Sequence, residues 1–261
     1  MTISNRMNEK LDLSIVVPAY NEEQRLLPTL ERMVKNLRNT FPGTFEIIVL
    51  DDGSKDATSA VANQFALEHK EVSVITNKEN HGRGFVMRQG VLGAKGRYIL
   101  DTDADGSVAD EAIPRFYEYI ESHKDIDMLI GSRTIEGAKI LVVQPPLRVL
   151  LAYIFMVLAW IMFRWRFIDR VNGFKFFRRE VAHDVFAHLH ENTFFGEAEV
   201  TYVTDRRGWC VKELPVLWSD HRDSRIKPWR ESYRSFFGMF RVVLRSWTGK
   251  YTKNLKNNES N

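Results

Sequence analysis

The stretch Tyr98-Ile-Leu-Asp-Thr-Asp-Ala-Asp-Gly-Ser107 joins a short apolar run to three aspartates that alternate along the chain. The apolar run predicts a buried strand over residues 97–100. Carboxylates two residues apart at a strand end can converge on one hard cation, although a solvated acidic turn is the alternative. An EF-hand calcium loop is excluded, because its twelfth position would be Ala112 rather than Glu and because a strand precedes it. We therefore predict a strand that ends at a divalent-metal site.

Apolar runs alternate with helical patterns on both sides of this stretch. That alternation predicts an α/β fold with a parallel sheet covered by helices on both faces. Ligands in such folds bind beyond the carboxyl ends of the strands. The other predicted strands are 13–17, 45–50, 72–76, 128–130 and 212–218, and the predicted helices are 23–37, 57–67, 84–94 and 111–123.

The composition narrows the class of protein. With 44% hydrophobic and 27% charged residues in 261, the chain is an ordinary globular one rather than a disordered or collagen-like one. A single cysteine excludes an internal disulfide framework and a thiolate zinc cluster. The segment Gly82–Met87 starts like a dinucleotide fingerprint, but Met87 stands where the third glycine belongs, and no P-loop occurs. NAD enzymes and P-loop ATPases are therefore disfavoured.

Two further polar motifs follow the first two predicted strands. Pro18-Ala-Tyr-Asn-Glu22 ends the first, and Leu50-Asp-Asp-Gly-Ser54 ends the second. Tyr20 can flank a base, and the Asp52 carboxylate can accept a hydrogen bond from a base N–H or a ribose hydroxyl. Each motif alone is also compatible with a helix cap or a turn. Together with the aspartates they predict a nucleotide site at one edge of the sheet.

The second half of the chain contains two candidate membrane-facing segments. Residues 149–163 are fifteen residues without a polar interruption, or about 22 Å of helix against roughly 30 Å of bilayer hydrocarbon. They predict either a buried core helix or a helix lying partly in the bilayer, anchored by Trp160 and Trp165.

The C-terminal part is basic, with ten Lys or Arg against three Asp or Glu between Asp220 and Lys256. A helix over 233–247 would have an aromatic face beside Arg234, Arg241 and Arg245. This pattern predicts an amphipathic helix that lies on an anionic membrane. The alternative is a core helix with a solvated basic face. Nucleic-acid binding is disfavoured because no recognised module is present.

Four motifs in order resemble the inverting family-2 glycosyltransferases of the GT-A fold: SIVVPAYNE (14–22), VLDDGSKDAT (49–58), NHGRG (80–84) and DTDADGS (101–107). Gly131-Ser-Arg133, Arg148 and the stretch 169–178 are similar to dolichyl- and polyprenyl-phosphate sugar transferases. DADG, GFKFF and Glu197-Ala-Glu199 most resemble the dolichyl-phosphate β-glucosyltransferase branch. The resemblance covers residues 12–247.

The resemblance implies a role for each matching residue. Asp103, Asp105 and Arg133 would be catalytic, with Mg²⁺ or Mn²⁺ held by Asp103, Asp105 and Ser107. Ser107 departs from the Gln usual in mannose synthases. The loop at 223–227 departs from the family's Gly-Ser-Lys, with Asp223 for Gly and Arg225 for Lys. The implied nucleotide-binding residues are Pro18, Ala19, Tyr20, Glu22, Leu50, Asp52, Asp103 and Ala104. The implied phosphate- and acceptor-binding residues are Arg133, Arg148, Arg222, Arg225 and Lys227, with Glu197 and Glu199 as candidate positioning residues.

The resemblance also implies the reaction and the organisation of the chain. A hexose would move from a nucleotide sugar, of the UDP-glucose or GDP-mannose type, to a polyprenyl or dolichyl phosphate at the cytoplasmic membrane face. An integral membrane partner is a further candidate. Two alternatives stay open: a soluble or glycan acceptor with the same donor chemistry, and a non-catalytic sugar-nucleotide-binding membrane scaffold. We expect a flexible N-terminus (1–10), a GT-A domain (11–220), a membrane-facing segment (221–251) and a flexible tail (252–261).

Overall fold

A seven-stranded sheet with helices on both faces forms the centre of the molecule. The computed structural model describes residues 11–142, 153, 157, 172–193, 195–219 and 228–252, with the helical backbone alone for 228–235. The strands are β1 (Leu13–Ala19), β2 (Phe45–Asp51), β3 (Val72–Thr76), β4 (Tyr98–Asp101), β5 (Met128–Ser132), β6 (Lys139–Val142), β7 (Lys175–Arg178), β8 (Val211–Pro215) and β9 (Leu217–Ser219). The helices are α1 (Leu26–Thr40), α2 (Thr58–Glu68), α3 (Arg83–Gly93), α4 (Ala112–Ser122), α5 (Arg179–Ala187), α6 (Gly196–Arg206) and α7 (Pro228–Trp247).

The strand order in the large sheet is β3-β2-β1-β4-β7-β5-β8. Adjacent strands are parallel except β7, which runs antiparallel to both of its neighbours. The α/β class with a mostly parallel sheet is therefore confirmed. Strands β1, β4 and β5 are buried almost throughout, as expected for a sheet covered on both faces.

The sequence pattern predicts the first half of the chain well. The apolar stripe of α1 (Leu26, Leu30, Met33, Val34 and Leu37) is buried against one face of the sheet. The predicted strand at 97–100 is β4, displaced by one residue.

One expectation for the second half is wrong. The single strand predicted at 212–218 is two strands, because the chain leaves the large sheet after β8, and β9 pairs with β6 in a separate sheet. Strand β7, which none of the predicted strands covers, is the antiparallel member of the mostly parallel sheet.

Helix α7 belongs to the core as well as to the surface. Met239 and Val242 are fully buried, and with Tyr251 they join the apolar cluster of α3, α5 and α6. Arg241 and Arg245 turn toward the protein and bind the buried Glu191 carboxylate at 2.6–2.8 Å. Among residues 236–247, the exposed large apolar side chains of α7 are Phe236, Phe237, Phe240, Leu244 and Trp247, and Arg241 is exposed as well.

Within the described residues, no helix combines the length and the apolar character that a bilayer span requires. Of the apolar segment 149–163, the description covers two residues, Tyr153 and Val157, which are helical and exposed.

Candidate active site

The predicted site residues follow strands that end at one edge of the sheet. Strands β1, β2, β4 and β5 are parallel in direction and end at Ala19, Asp51, Asp101 and Ser132. The reversed strand β7 begins at this edge, and its first residue, Lys175, lies opposite Asp101. Tyr20, Asp52, Asp103 and Arg133 therefore all follow strand ends at the edge where the second half of the chain returns. Because ligands of such sheets bind beyond the carboxyl ends of the strands, this edge is the predicted location of the site.

The three aspartates differ strongly in exposure. Asp101 is completely buried, whereas the side chains of Asp103 and Asp105 are 44% and 27% exposed. Asp105 Oδ1 accepts a hydrogen bond from the Ser107 backbone N–H at 2.9 Å, and its Oδ2 is 4.0 Å from Arg25 Nη1. Asp103 and Asp105 are thus the accessible members of the cluster, and Asp101 is an internal one.

Arg83, the first residue of α3 and directly after the glycine-rich loop 80–82, is the centre of the charged cluster. Its Nη2 donates to Asp101 Oδ1 at 3.0 Å and to Asp103 Oδ1 at 2.8 Å. Its Nη1 forms an ion pair with Glu197. Burial opposes the guanidinium charge, but Asp101 and Asp103 outweigh burial and raise the pKa of Arg83 above its ordinary value. Burial also raises the pKa of Asp101, which Arg83 and Lys175 offset only in part.

Glu197 and Glu199 point to different parts of the molecule although they are two residues apart on α6. Glu197 binds both Arg83 and the fully buried Lys175. Glu199 accepts hydrogen bonds from the Tyr251 hydroxyl at 2.6 Å and from the Glu191 backbone N–H at 2.8 Å. Burial raises the pKa of Glu199, and these hydrogen bonds oppose the rise. Glu197 therefore belongs to the aspartate cluster, whereas Glu199 holds the C-terminal turn.

Asp52 holds the glycine-rich loop. Its carboxylate, which is buried, accepts hydrogen bonds from the backbone N–H groups of His81 at 2.9 Å and Gly82 at 2.8 Å, and from Asn80 Nδ2 at 2.9 Å. Gly82 has a φ of 95°, a value that L side chains rarely adopt. Asp52 thus fixes the loop that presents Arg83 to the aspartates.

The remaining predicted nucleotide-binding residues have the following environments. Tyr20 is 40% exposed, whereas the Leu50 and Ala104 side chains are buried in the apolar clusters. Glu22 forms an ion pair with Arg25 at 2.5 Å. Pro18 and Ala19 lie in the last part of β1, paired with Leu50 and Asp51 of β2.

The predicted phosphate-binding residues are only partly described. Arg133 directly follows β5, and its guanidinium lies 5.2 Å from the centre of the Trp218 ring. Ser107 is buried and its carbonyl accepts a hydrogen bond from the Ser219 N–H. Arg148, Arg222, Arg225 and Lys227 lie outside the described residues.

Arg83 and Lys175 are two members of the cluster that were not predicted from the sequence. Lys175 interrupts the apolar run Phe174-Lys-Phe-Phe177, and a charge within a buried strand requires a partner, which is a readable signal. Arg83 stands between two glycines at the start of α3, so its inward orientation depends on long-range contacts that a local pattern does not contain.

The accessible carboxylates of Asp103 and Asp105 suit a hard divalent cation whose remaining coordination positions are filled by a bound ligand and by water. Among the described residues, no group of three or more His, Cys, Asp or Glu side chains is arranged to hold a metal by itself. Asp103 and Asp105 supply hard oxygen atoms at an exposed strand end. Mg²⁺ sites commonly use one or two carboxylates, with water and phosphate oxygens completing the coordination.

Comparisons with known proteins agree with this architecture. Residues 14–186 match the model of the family described as Glycosyl transferase family 2. A dolichyl-phosphate beta-glucosyltransferase of Drosophila melanogaster is 32% identical over 251 residues, 91% of this chain and 77% of the relative. The dolichyl-phosphate beta-glucosyltransferase of Homo sapiens is 30% identical over 249 residues, 92% of this chain and 77% of the relative.

A solved structure is similar in fold. Glucosyl-3-phosphoglycerate synthase of Mycobacterium tuberculosis, in complex with Mn²⁺, UDP-glucose and phosphoglyceric acid, matches with a TM-score of 0.66 at 16% identity, covering 89% of this chain and 80% of that one. At that identity the likeness shows the fold alone. The family match over most of the chain, the two relatives and the carboxylates at the strand ends agree, and the chain belongs to glycosyl transferase family 2.

Proposed function

We propose that this chain transfers a glucosyl residue from a nucleotide sugar, UDP-glucose in the first instance, to dolichyl phosphate or a related polyprenyl phosphate. The observation that carries the proposal is the similarity to dolichyl-phosphate beta-glucosyltransferases over about nine-tenths of the chain. The GT-A-like sheet, with carboxylates at its ligand-binding edge, supports the donor half of the reaction.

Asp103 and Asp105 would hold Mg²⁺ or Mn²⁺ together with the donor diphosphate. The cation would stabilise the negative charge that develops on the diphosphate as the bond to the sugar breaks. Arg133 follows β5 at the same edge, and its proposed role is to neutralise a phosphate oxygen. Arg148, Arg222, Arg225 and Lys227 have the same proposed role, and Ser107 is the proposed third metal ligand.

The nucleoside would lie beside Tyr20, at the end of β1. The exposed ring of Tyr20 offers a surface on which a base can stack. Asp52 would act indirectly, by holding the loop 80–82, because backbone N–H groups of that loop donate to both of its carboxylate oxygens. Leu50 and Ala104, whose side chains are buried, would contribute backbone atoms and shape, as would Pro18 and Ala19.

The acceptor would attack without help from a protein base. A lipid phosphate is already ionised near neutral pH, so its oxygen is a nucleophile without losing a proton. Both buried carboxylates of α6 have partners: Glu197 is held by Arg83 and Lys175, and Glu199 by Tyr251 and backbone N–H groups. We therefore assign Glu197 a positioning role and Glu199 a structural one.

The exposed face of α7 would bind the membrane that carries the acceptor. Phe240, Leu244 and Trp247 expose apolar surface on one side of α7, while Met239 and Val242 attach its other side to the core. Such a helix can lie in the interface without crossing the bilayer. Peripheral attachment at the cytoplasmic face, with segment 221–251 as the membrane-facing part, is the corresponding localisation. An integral membrane partner is a further proposal.

A panel of donors and acceptors tests the function. UDP-glucose, GDP-mannose and UDP-galactose would each be incubated with the protein and Mn²⁺, in three sets that contain polyprenyl phosphate in vesicles, a soluble sugar phosphate, or no acceptor. We expect a glucosylated lipid phosphate, identified by mass, from UDP-glucose alone. Transfer to the soluble acceptor alone would overturn the lipid assignment, and no turnover of any donor would support the non-catalytic alternative.

A further inference from the structure

Arg83 reaches three carboxylates at once. Its Nη2 donates to Asp101 Oδ1 and Asp103 Oδ1, its Nε also reaches Asp103 Oδ1 at 3.2 Å, and its Nη1 pairs with Glu197. The side chain is 12% exposed. The planar guanidinium, with five N–H donors in a fixed fork, can satisfy several acceptors in one plane.

The chain segment 80–84 around Arg83 is held from two sides. On one side, the Asp52 carboxylate accepts hydrogen bonds from the backbone N–H groups of His81 and Gly82. On the other side, the Gly84 N–H donates to the Asn192 carbonyl at 3.2 Å. A Cβ atom at Gly82 or Gly84 would collide with a carbonyl oxygen of segment 191–192, so the glycines permit the close approach that aims Arg83 inward.

A second buried cation supports the same cluster. Lys175 is fully buried, pairs with Glu197, and donates to the Asn172 carbonyl at 2.6 Å. Asp101, Asp103 and Glu197 are thus three carboxylates that face two cations. When the accessible Asp105 and the adjacent Arg25–Glu22 ion pair, which is neutral by itself, are included, the cluster carries a formal charge of about −2, which one divalent cation balances.

The accessible carboxylate of Asp103 is oriented by its contacts with Arg83 and with the backbone at Gly173. Arg83 occupies Oδ1 of Asp103, while Oδ2 faces the backbone at Gly173, where a Cβ atom would collide with it. The Asp103 side chain is therefore restrained before it meets a ligand. Preorganised charges of this kind cost no reorganisation at the moment of reaction.

We propose that Arg83 is a positioning residue of the transfer reaction. It is an internal cation that is held in place by Glu197 and orients the Asp103 carboxylate. Its positive charge also sets the net charge of the cluster, so that the cluster binds one divalent cation. This inference rests on the proposed metal-dependent donor site, and it does not depend on the identity of the acceptor.

The test is a titration of the purified chain with Mn²⁺ alone, followed by electron paramagnetic resonance of the free ion. We expect one ion per chain in the wild type. Arg83→Gln removes one positive charge and should bind bare Mn²⁺ about tenfold more tightly. In the same variant, kcat with UDP-glucose should fall by about 10²–10³-fold, because Asp103 is no longer oriented.

Two further variants separate charge from orientation. The double variant Arg83→Gln/Glu197→Gln restores the net charge, so its Mn²⁺ affinity should return to within about threefold of the wild type while kcat stays low. Arg83→Lys keeps the charge and should recover at least about tenfold of the lost kcat. The matched control is Arg88→Gln on α3, because Arg88 contacts Phe85 and the Leu189 carbonyl rather than the aspartates.

Thermal melting of each variant shows whether it is folded before it is titrated. If Arg83→Gln does not fold, the double variant and Arg83→Lys carry the test. The proposal is overturned if the Mn²⁺ affinity does not follow the net charge of the cluster. It is also overturned if Arg83→Lys is as inactive as Arg83→Gln. If the protein transfers no sugar to a lipid phosphate, the Mn²⁺ titration is unaffected and only the acceptor assignment fails. If the wild type binds no Mn²⁺, both the metal site and the role of Arg83 are overturned.

Discussion

Asp52 is the residue for which the structure most changes the expected effect of a substitution. From the sequence it is a direct ligand of the nucleoside, but its carboxylate accepts three hydrogen bonds from loop 80–82. In Asp52→Asn, the amide NH2 that replaces one of the two carboxylate oxygens would face an N–H donor from which it cannot accept a hydrogen bond. Leaving such donors unsatisfied costs about 1–3 kcal/mol each.

We expect Asp52→Asn to weaken UDP binding at least tenfold and to lower the melting temperature at the same time. Calorimetry with UDP and Mn²⁺, paired with thermal melting, measures both effects. The matched control is Asp125→Asn, because Asp125 is an exposed aspartate that follows α4. Weaker UDP binding at an unchanged melting temperature would favour direct contact with the base over the loop.

Asp184 on α5 makes stability depend on pH. Burial raises its pKa, but hydrogen bonds from Arg207 at 2.5–2.6 Å and from Trp209 Nε1 at 2.7 Å outweigh burial, so the pKa lies below its usual value. A carboxyl with a depressed folded-state pKa contributes stability above its unfolded pKa of about 3.9 and loses it as pH falls through the folded value.

We expect Asp184→Asn to lower the free energy of unfolding by about 1.5–3 kcal/mol at pH 7. The difference from the wild type should shrink as the pH falls below about 4, because the wild-type carboxyl is then protonated as well. Urea unfolding at a series of pH values measures this. A difference that does not change with pH would show that charge is not the cause.

Helix α7 has a core face and exposed apolar side chains, and two of its arginines, Arg241 and Arg245, bind a buried carboxylate. Because Arg241 and Arg245 bind Glu191, reversing their charge would place like charges against a buried carboxylate and destabilise the fold. Membrane attachment is better tested on the exposed face, where Leu244 is 57% and Trp247 81% exposed.

We expect Leu244→Ser/Trp247→Ser to reduce flotation with vesicles of anionic lipid at least tenfold, since each buried side chain is worth about 1.5–3 kcal/mol. Leu67→Ser on α2 is the control, because it removes an equally exposed apolar side chain elsewhere. Equal flotation of both variants, with or without the lipid phosphate, would count against α7 as the attachment surface.

The elements that sequence predicts well are those whose signal is local. The buried stripe of α1 and the polar residues after β1, β2 and β4 follow from periodicity and from the strand-end rule. Strand β7 is only four residues long, and nothing in Lys175–Arg178 encodes that it inserts antiparallel between β4 and β5. The Arg83 cluster was missed for the same reason, since its partners lie about 20 and more than 100 positions away along the chain.

At the scale of the whole molecule, the C-terminal part completes the core. A chain ending at Ser219 would lack Met239, Val242 and Tyr251, each worth about 1.5–3 kcal/mol of burial, and would leave Glu191 without its two arginines. We expect such a chain to aggregate or to melt at least about 10 °C lower in circular dichroism. A chain ending at Thr252, which keeps these contacts, is the control and should melt as the full chain does.

The position of β7 also has a consequence for synthesis on the ribosome. Strands β1 to β4 can pair as soon as residue 101 has emerged, but the outer edge of β4 is completed only by β7, which ends at Arg178. At 5–20 residues per second, that edge stays open for about 4–15 s in the nascent chain. Unpaired strand edges template association between chains. A chaperone that acts in this interval would need to cover one strand edge rather than a whole unfolded protein.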